Sequence, residues 1–134
     1  ALMASPSLLI CDEVVSALDV SIQTQILNLL QKLWREKQMS MLFISHDLGV
    51  VRHFCHRIMV MYFGNIVEIA TPELLFSKPN HPYTRSLLAS IPSPSPQKIV
   101  ASNADLTWVA KNKSQEFMSG PLKRLDAHHW VAAI

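Results

Sequence analysis

Two short clusters of polar residues in this chain could act together on a bound substrate. One follows the apolar run 8–11 and the other follows the apolar run 41–44, and together they contain Asp12, Glu13, Ser45, His46 and Asp47. Paired carboxylates can hold a hydrated cation and accept a proton from water, and an imidazole can contact a reacting group. Each cluster alone is equally compatible with a strand that stops at polar residues. The hypothesis of a site therefore depends on whether the two clusters lie side by side.

The elements around these clusters predict that they do. A short apolar run such as 8–11 is typical of a strand buried on both faces, and 41–44 predicts a second strand. Between them, Asp19 or Ser21 can cap a helix that runs to about Lys37, with an apolar stripe at Ile22, Ile26, Leu29, Leu30 and Leu33. Strand, helix and strand in this order predict a crossover connection and a parallel pair. Both polar clusters should then lie at one edge of the sheet.

The rest of the chain predicts smaller elements. We expect a helix from Asp47 to about Cys55, a hairpin of strands 58–63 and 66–69 joined through Gly64-Asn65, and short helices starting at Pro72 and Pro82. The Pro-rich stretch 91–96 predicts an extended linker, and residues 97–134 predict a loosely ordered tail. The prediction is an α/β fold with crossover helices, a terminal hairpin and an irregular tail, divided into residues 1–92 and 93–134.

Composition limits the classes of function. The chain has 134 residues, of which 49% are hydrophobic and 16% charged, with a net charge of +2. This predicts a packed domain and argues against nucleic acid as a partner. Cys11 and Cys55 suggest reduced thiols, and we expect neither a membrane span nor a signal peptide. Because the first strand comes so soon after Ala1, we expect the sequence to be a piece of something longer.

The order of these motifs resembles a known family. Residues 1–92 are similar to the C-terminal half of the ATP-binding subunit of ABC transporters, in which residues 8–13 resemble the Walker B strand, Ser16-Ala17-Leu18-Asp19 the D-loop, and 45–47 the switch-histidine loop. Residues 57–68 and 78–85, which contain His81-Pro82-Tyr83-Thr84, resemble the oligopeptide/dipeptide (and nickel) importer branch.

The resemblance implies that the strands belong to a partial P-loop NTPase-type sheet, and it also implies roles for individual residues. Asp12 would hold the Mg²⁺ of Mg-ATP through water, Glu13 would polarise the attacking water, and His46 would contact the γ-phosphate. The D-loop, residues 16–19, would line the interface with a second ATP-binding subunit. Transmembrane permease subunits would be the other partners, at the cytoplasmic face of the inner membrane, where the subunit would sit peripherally.

Departures from the family pattern predict an incomplete site. A phosphate cradle of the form G-x-x-x-x-G-K-[ST] is missing, because none of the three glycines is followed by Lys. The Gly-rich signature motif is also missing, and Val14-Val15 stands where the family usually has Pro-Thr. We therefore expect no ATP hydrolysis by this chain alone.

Other interpretations remain open. The chain could be a non-enzymatic interaction module or a truncated gene product that docks on an intact cassette or permease. A phosphoacceptor domain that uses Asp12 would need a basic partner at a later strand end. A metal site made of His46, His53, Cys55 and His56 matches no standard zinc spacing. Ser45, His46 and Asp47 are adjacent in the chain and so cannot form a hydrolase triad.

Overall fold

The computed structural model describes residues 2–91, 100–113 and 120–133. The chain divides into two compact units, Ala1–Cys55 and His56–Ile134. The predicted domain boundary between 92 and 93, and all but the first residue of the predicted linker, lie outside the described residues. In the described part of the chain, no helix is long and apolar enough to cross a bilayer.

The first unit contains the predicted strand–helix–strand arrangement. After a short 3₁₀ turn at Leu2–Ala4 come β1 (Leu8–Asp12), α1 (Val20–Lys37), β2 (Ser40–Ile44) and α2 (Leu48–Phe54). The two strands are parallel, in a register that runs from Leu8 opposite Ser40 to Asp12 opposite Ile44. The predicted crossover and parallel pair are confirmed.

A small apolar core joins α1 to one face of this sheet. Its buried residues are Leu9, Cys11, Leu30 and Met39, with partly buried Ile26, Leu33, Met41, Phe43 and Phe54 packed against them. Within the predicted stripe, Ile22 and Leu29 remain 38% and 50% exposed. The centre of the helix face was thus predicted correctly, and its margins are open to solvent.

The prediction that the first strand is buried on both faces is wrong. Leu9 and Cys11 are buried, but Leu8 and Ile10, which alternate with them, are 51% and 59% exposed. Alternation places the two pairs on opposite faces, and α1 packs on the side of Leu9 and Cys11. In the described residues this sheet has two strands only, so the first unit has an open apolar face.

The second unit is built around an antiparallel sheet. Its elements are β3 (Ile58–Tyr62), β4 (Asn65–Ala70), α3 (Pro72–Ser77), α4 (Pro82–Ala89), α5 (Asn103–Lys111), β5 (Leu122–Asp126) and β6 (His129–Ala132). The strand order is β3-β4-β6-β5. The predicted hairpin and both short helices are confirmed.

The hairpin turn lies one residue earlier than predicted. Tyr62 pairs with Asn65, so the two turn residues are Phe63 and Gly64, with φ of 43° and 78°. Two successive positive φ angles define the type I′ turn, whose twist matches that of the strands it joins. Asn65 flanks the turn, and its Nδ2 donates to the carbonyl of Phe63 at 3.0 Å.

The prediction of an irregular tail is also wrong for the described residues. Ser102 and Asp105 form a capping box that starts α5. Further along, β6 pairs with β4, with Trp130 opposite Ile69, and β5 pairs with β6. The reason is long-range pairing, because β6 joins a strand about 60 residues away that no local periodicity could reveal.

A buried carboxylate ties this tail to the rest of the second unit. Glu68 of β4 is 0% exposed. Its Oε1 accepts hydrogen bonds from Nε2 of His129 at 2.6 Å and from the Asn80 amide at 2.8 Å, and its Oε2 accepts from the His81 amide at 3.0 Å. The carboxyl group thereby joins β4, β6 and the start of α4, because a buried polar group needs hydrogen-bond partners for its oxygens.

A second buried carboxylate joins α4 to α5. Nε of Arg85 donates to Oδ1 of Asp105 at 2.8 Å, and Nη2 contacts the same oxygen. Oδ2 of Asp105 accepts from the amide and hydroxyl of Ser102. The hydrogen bond from Arg85 is the main reason that the pKa of Asp105 falls to about 2.

His81 is buried without charge at the start of α4. Its Nδ1 accepts a hydrogen bond from the Tyr83 amide at 3.2 Å, which caps the helix, and its ring lies edge-on to Trp108. Burial lowers the pKa of His81 to about 4, and the nearby charges of Glu68 and Arg85 act in opposite directions. A neutral imidazole is required because only an unprotonated nitrogen can accept the capping bond.

Candidate functional site

The polar ends of β1 and β2 lie together, as predicted. The Glu13 amide continues the sheet ladder by donating to the carbonyl of Ile44 at 3.0 Å. Beyond it, Oε1 of Glu13 lies 2.9 Å from Nδ1 of His46. The parallel register produces this contact, because it places the residues that follow Asp12 and Ile44 next to each other.

The contact between Glu13 and His46 is open to solvent. The two side chains are 52% and 71% exposed. A carboxylate and an imidazole at hydrogen-bond distance can pass a proton or orient a water molecule between them and a substrate. The geometry therefore suits a reaction in which water is the nucleophile and the substrate arrives from the solvent side.

Asp12 ends β1 directly before this pair and is exposed. The described residues contain no group of three or more His, Cys, Asp or Glu side chains able to hold a metal ion. Mg²⁺ commonly uses one or two carboxylates and fills its remaining positions with water and phosphate oxygens. An exposed carboxylate such as that of Asp12 fits this kind of site, in which the substrate supplies part of the coordination.

The segment 16–19 forms an exposed loop between Glu13 and α1. Ser16 donates through both its amide and its hydroxyl to the carbonyl of Glu13, at 3.1 and 2.9 Å. Ala17 and Leu18 are exposed. Asp19 caps α1 by accepting from the Ile22 amide at 3.0 Å, and this hydrogen bond lowers the pKa of Asp19.

The second polar loop is held by Asp47. Its Oδ1 accepts from the amides of Gly49 and Val50 at 2.9 and 3.2 Å, which confirms the predicted helix cap. Its own amide donates to Oγ of Ser45 at 3.0 Å. Ser45 and Asp47, which flank His46, are thus joined by a hydrogen bond.

Sequence reasoning missed Gln23 as part of this arrangement. Nε2 of Gln23, early in α1, donates to Oδ2 of Asp47 at 3.4 Å. The bond joins the helix that follows residues 16–19 to the loop that carries His46. A Gln on the polar side of an amphipathic helix gives no sequence signal for such a contact.

His53, one of the residues considered for a metal site, makes a local contact. Its Nδ1 donates to the carbonyl of Gly49, one turn earlier in α2, at 2.9 Å. Cys55 ends the same helix as its C-cap, and burial raises the pKa of its thiol. Both residues therefore make contacts within α2 or at its C-terminal end.

Comparisons with known proteins agree with the motif order. Residues 67–113 match the family model of the oligopeptide/dipeptide transporter C-terminal region. The chain is 47% identical over 122 residues to the oligopeptide transport ATP-binding protein OppF of Escherichia coli, which covers 91% of this chain and 33% of the relative. It is 55% identical over 96 residues to a putative peptide import ATP-binding protein of Brucella ovis, which covers 72% of this chain and 30% of the relative.

A probable peptide ABC transporter ATP-binding protein of Sinorhizobium fredii is 56% identical over 98 residues, with 73% of this chain and 28% of the relative covered. The chain thus spans about a third of the length of these curated relatives. The motifs, the family model and the identities agree on one assignment. The chain belongs to the ATP-binding subunits of oligopeptide/dipeptide ABC transporters, and it corresponds to their C-terminal part.

Proposed function

We propose that this chain supplies the water-activating part of a Mg-ATP hydrolysis site in an ATP-binding subunit that powers peptide import. The observation that carries the proposal is the 2.9 Å contact between Glu13 and His46 at the shared edge of β1 and β2. Hydrolysis of a phosphoanhydride needs a positioned water and stabilised charge more than covalent chemistry. A carboxylate beside an imidazole meets the first of these needs.

The three site residues take separate roles in this proposal. Glu13 accepts the proton of the attacking water, and His46 orients the carboxylate and contacts the terminal phosphate. Asp12 would hold Mg²⁺, and the metal would neutralise phosphate charge when it is bound. The openness of the Glu13–His46 pair supports the proposal, because a nucleotide could reach it from solvent.

This sequence contains no phosphate cradle of the form G-x-x-x-x-G-K-[ST]. Gly49, Gly64 and Gly120 are its only glycines, and none precedes a Lys. A phosphate cradle needs backbone amides from a Gly-rich loop and a Lys in register. We therefore propose that the chain hydrolyses ATP only together with polypeptide that provides a cradle.

Partners and location follow from the same proposal. The exposed loop at Ser16, Ala17 and Leu18 would contact a second ATP-binding subunit, and transmembrane permease subunits would hold the assembly at the cytoplasmic face of the inner membrane. The names of the relatives, which include peptide import and oligopeptide transport, support peptides as the cargo class.

ATPase measurements on two proteins test the proposal. The purified chain alone should hydrolyse ATP no faster than its Glu13→Gln variant. A chimera in which this chain replaces the matching part of the Escherichia coli relative should hydrolyse Mg-ATP, and Glu13→Gln should lower its kcat about 100-fold or more, the usual contribution of a general base.

Glu36→Gln is the matched control in this chimera. Glu36 is an exposed carboxylate near the end of α1, 3.8 Å from Lys32, and its loss should leave kcat unchanged. Turnover by the chain alone that depends on Glu13 would contradict the proposed need for a cradle. A chimera with equal kcat for wild type and Glu13→Gln would contradict the proposed role of Glu13.

A non-enzymatic docking module is the second candidate, and the open apolar face of the first unit favours it. Leu8 and Ile10 are more than half exposed there. In this case the chain would bind an intact cassette or permease without contributing to hydrolysis. Co-purification with such a subunit, together with an inactive chimera, would favour this second function.

A further inference from the structure

Glu13 has an unusual backbone conformation. Its φ is 47°, in the left-handed region that residues with a side chain rarely adopt. Gln38 shares this region as the C-cap of α1, and Phe63 shares it in a type I′ turn. Those two positions have the positive φ that helix ends and such turns require. Glu13 is at neither, so something else must hold its backbone.

Two hydrogen bonds from Ser16 hold the carbonyl side of Glu13. The amide and the hydroxyl of Ser16 both donate to the Glu13 carbonyl, at 3.1 and 2.9 Å. On the other side, the Glu13 amide donates to Ile44 of the neighbouring strand. Both peptide groups that flank Glu13 are therefore fixed, one by the sheet and one by Ser16.

Val15, in the same turn, has a buried side chain. It is 2% exposed, although Val14 and Ser16 beside it are exposed. A buried β-branched side chain has few accessible rotamers and so limits how far the turn can shift. This gives a physical role to one of the two valines that depart from the family pattern.

The left-handed conformation decides where the carboxylate points. In a continuing strand, Glu13 would simply project to the face opposite Asp12. The turn at Glu13 ends that alternation, and the side chain reaches Nδ1 of His46 at 2.9 Å. The position of the carboxylate thus depends on the turn that Ser16 closes.

We propose that Ser16 is a positioning residue for hydrolysis, whose hydroxyl holds the Glu13 backbone in the conformation that directs its carboxylate to His46. This inference rests on the proposed function of Glu13. It assigns the Ser16 hydroxyl a task within its own chain, separate from any contact that the exposed loop makes with a second subunit.

Kinetics of the chimera provide one test. Ser16→Ala should lower kcat about tenfold, the effect of losing one hydrogen bond that orients a reacting group, with the KM for ATP within about twofold. Ser16→Thr keeps the hydroxyl and should keep most of kcat. Ser77→Ala removes a comparable hydroxyl, which donates to the Glu73 carbonyl at 2.6 Å in α3, and should change neither value.

NMR of the chain itself provides the second test. A positive φ brings the amide and α protons of one residue close together, so Glu13 should give a strong cross-peak between them. Ser16→Ala should weaken this peak and remove cross-peaks between Glu13 and His46 side chains, while Ser16→Thr and Ser77→Ala keep them. An unchanged spectrum in Ser16→Ala overturns the inference, whatever the activity of the chimera.

The kinetic outcomes separate this inference from the proposed function. If Glu13→Gln abolishes turnover but Ser16→Ala does not lower kcat, Ser16 has no positioning role and the proposed function stands. If Ser16→Ala and Ser77→Ala lower kcat equally, the effect is one of general stability and the inference fails. If Glu13→Gln has no effect on kcat, the proposed function itself fails.

Discussion

Replacement of His81 by Asn should remove a pH dependence from the stability of the second unit. In the unfolded chain this imidazole takes up a proton below its ordinary pKa of 6.5, whereas in the folded chain it stays neutral down to about pH 4. Between these values the unfolded state binds more protons, so the free energy of unfolding falls as the pH is lowered. Asn retains a side-chain oxygen that can cap α4.

The expected magnitude follows from the two pKa values. A fall from 6.5 to about 4 corresponds to about 3 kcal/mol in the limit of low pH. About 2 kcal/mol of this should be lost between pH 7 and pH 5. His81 is 1% exposed, so solvent screening reduces the value little. Asp105, with a pKa of about 2, contributes below this range.

Urea unfolding at pH 7, 6 and 5, followed by far-UV circular dichroism, measures the effect. Wild type should lose about 2 kcal/mol more than His81→Asn between pH 7 and pH 5. His128→Asn is the matched control, because His128 is exposed in the same unit. Its replacement should leave the change of the unfolding free energy with pH as it is in wild type. Parallel pH profiles for wild type and His81→Asn would refute the reasoning that burial keeps this imidazole neutral.

Three further substitutions test the buried charges and the hairpin turn. Asp105→Asn should lower the free energy of unfolding by about 2 kcal/mol at pH 7. This loss, measured by urea unfolding, should shrink as the pH falls from about 4 toward 2. A titration of the Asp105 carboxyl carbon should have its midpoint near the pKa of about 2. His129→Ala leaves the Glu68 carboxylate buried without its imidazole donor and should cost about 3 kcal/mol in urea unfolding, whereas a similar loss in His128→Ala would argue against a specific role for the buried pair. Gly64→Ala forces a side chain into a φ of 78° and should cost about 1 kcal/mol in thermal unfolding; no loss would mean that the turn can rearrange.

The parallel pair and its polar edge were predictable because they depend on local signals. Asp19 and Asp47 stand directly before helices, and both cap them. The apolar runs that precede Glu13 and His46 have the length of strands, and a helix between two strands leaves few topologies. The proximity of Glu13 and His46 followed from that topology alone.

The parts that were not predictable depend on distant partners. The alternation of Leu9 and Ile10 into buried and exposed positions reflects which side α1 covers, and a continuous apolar run cannot show this. Trp130 and His129 join β4 across about 60 residues. The left-handed backbone of Glu13 also gave no signal, because the hydrogen bonds on either side of it come from Ser16 and from Ile44 of the neighbouring strand.

The exposure of the Glu13–His46 pair affects the strength of the hydrogen bond between the two side chains. A hydrogen bond that is exposed to water contributes less than the same bond in the low-dielectric interior of a protein. Because the side chains of Glu13 and His46 are 52% and 71% exposed, their hydrogen bond is of the weaker, solvent-exposed kind. Displacement of water from this edge would strengthen the hydrogen bond, because the effective dielectric constant around it would fall.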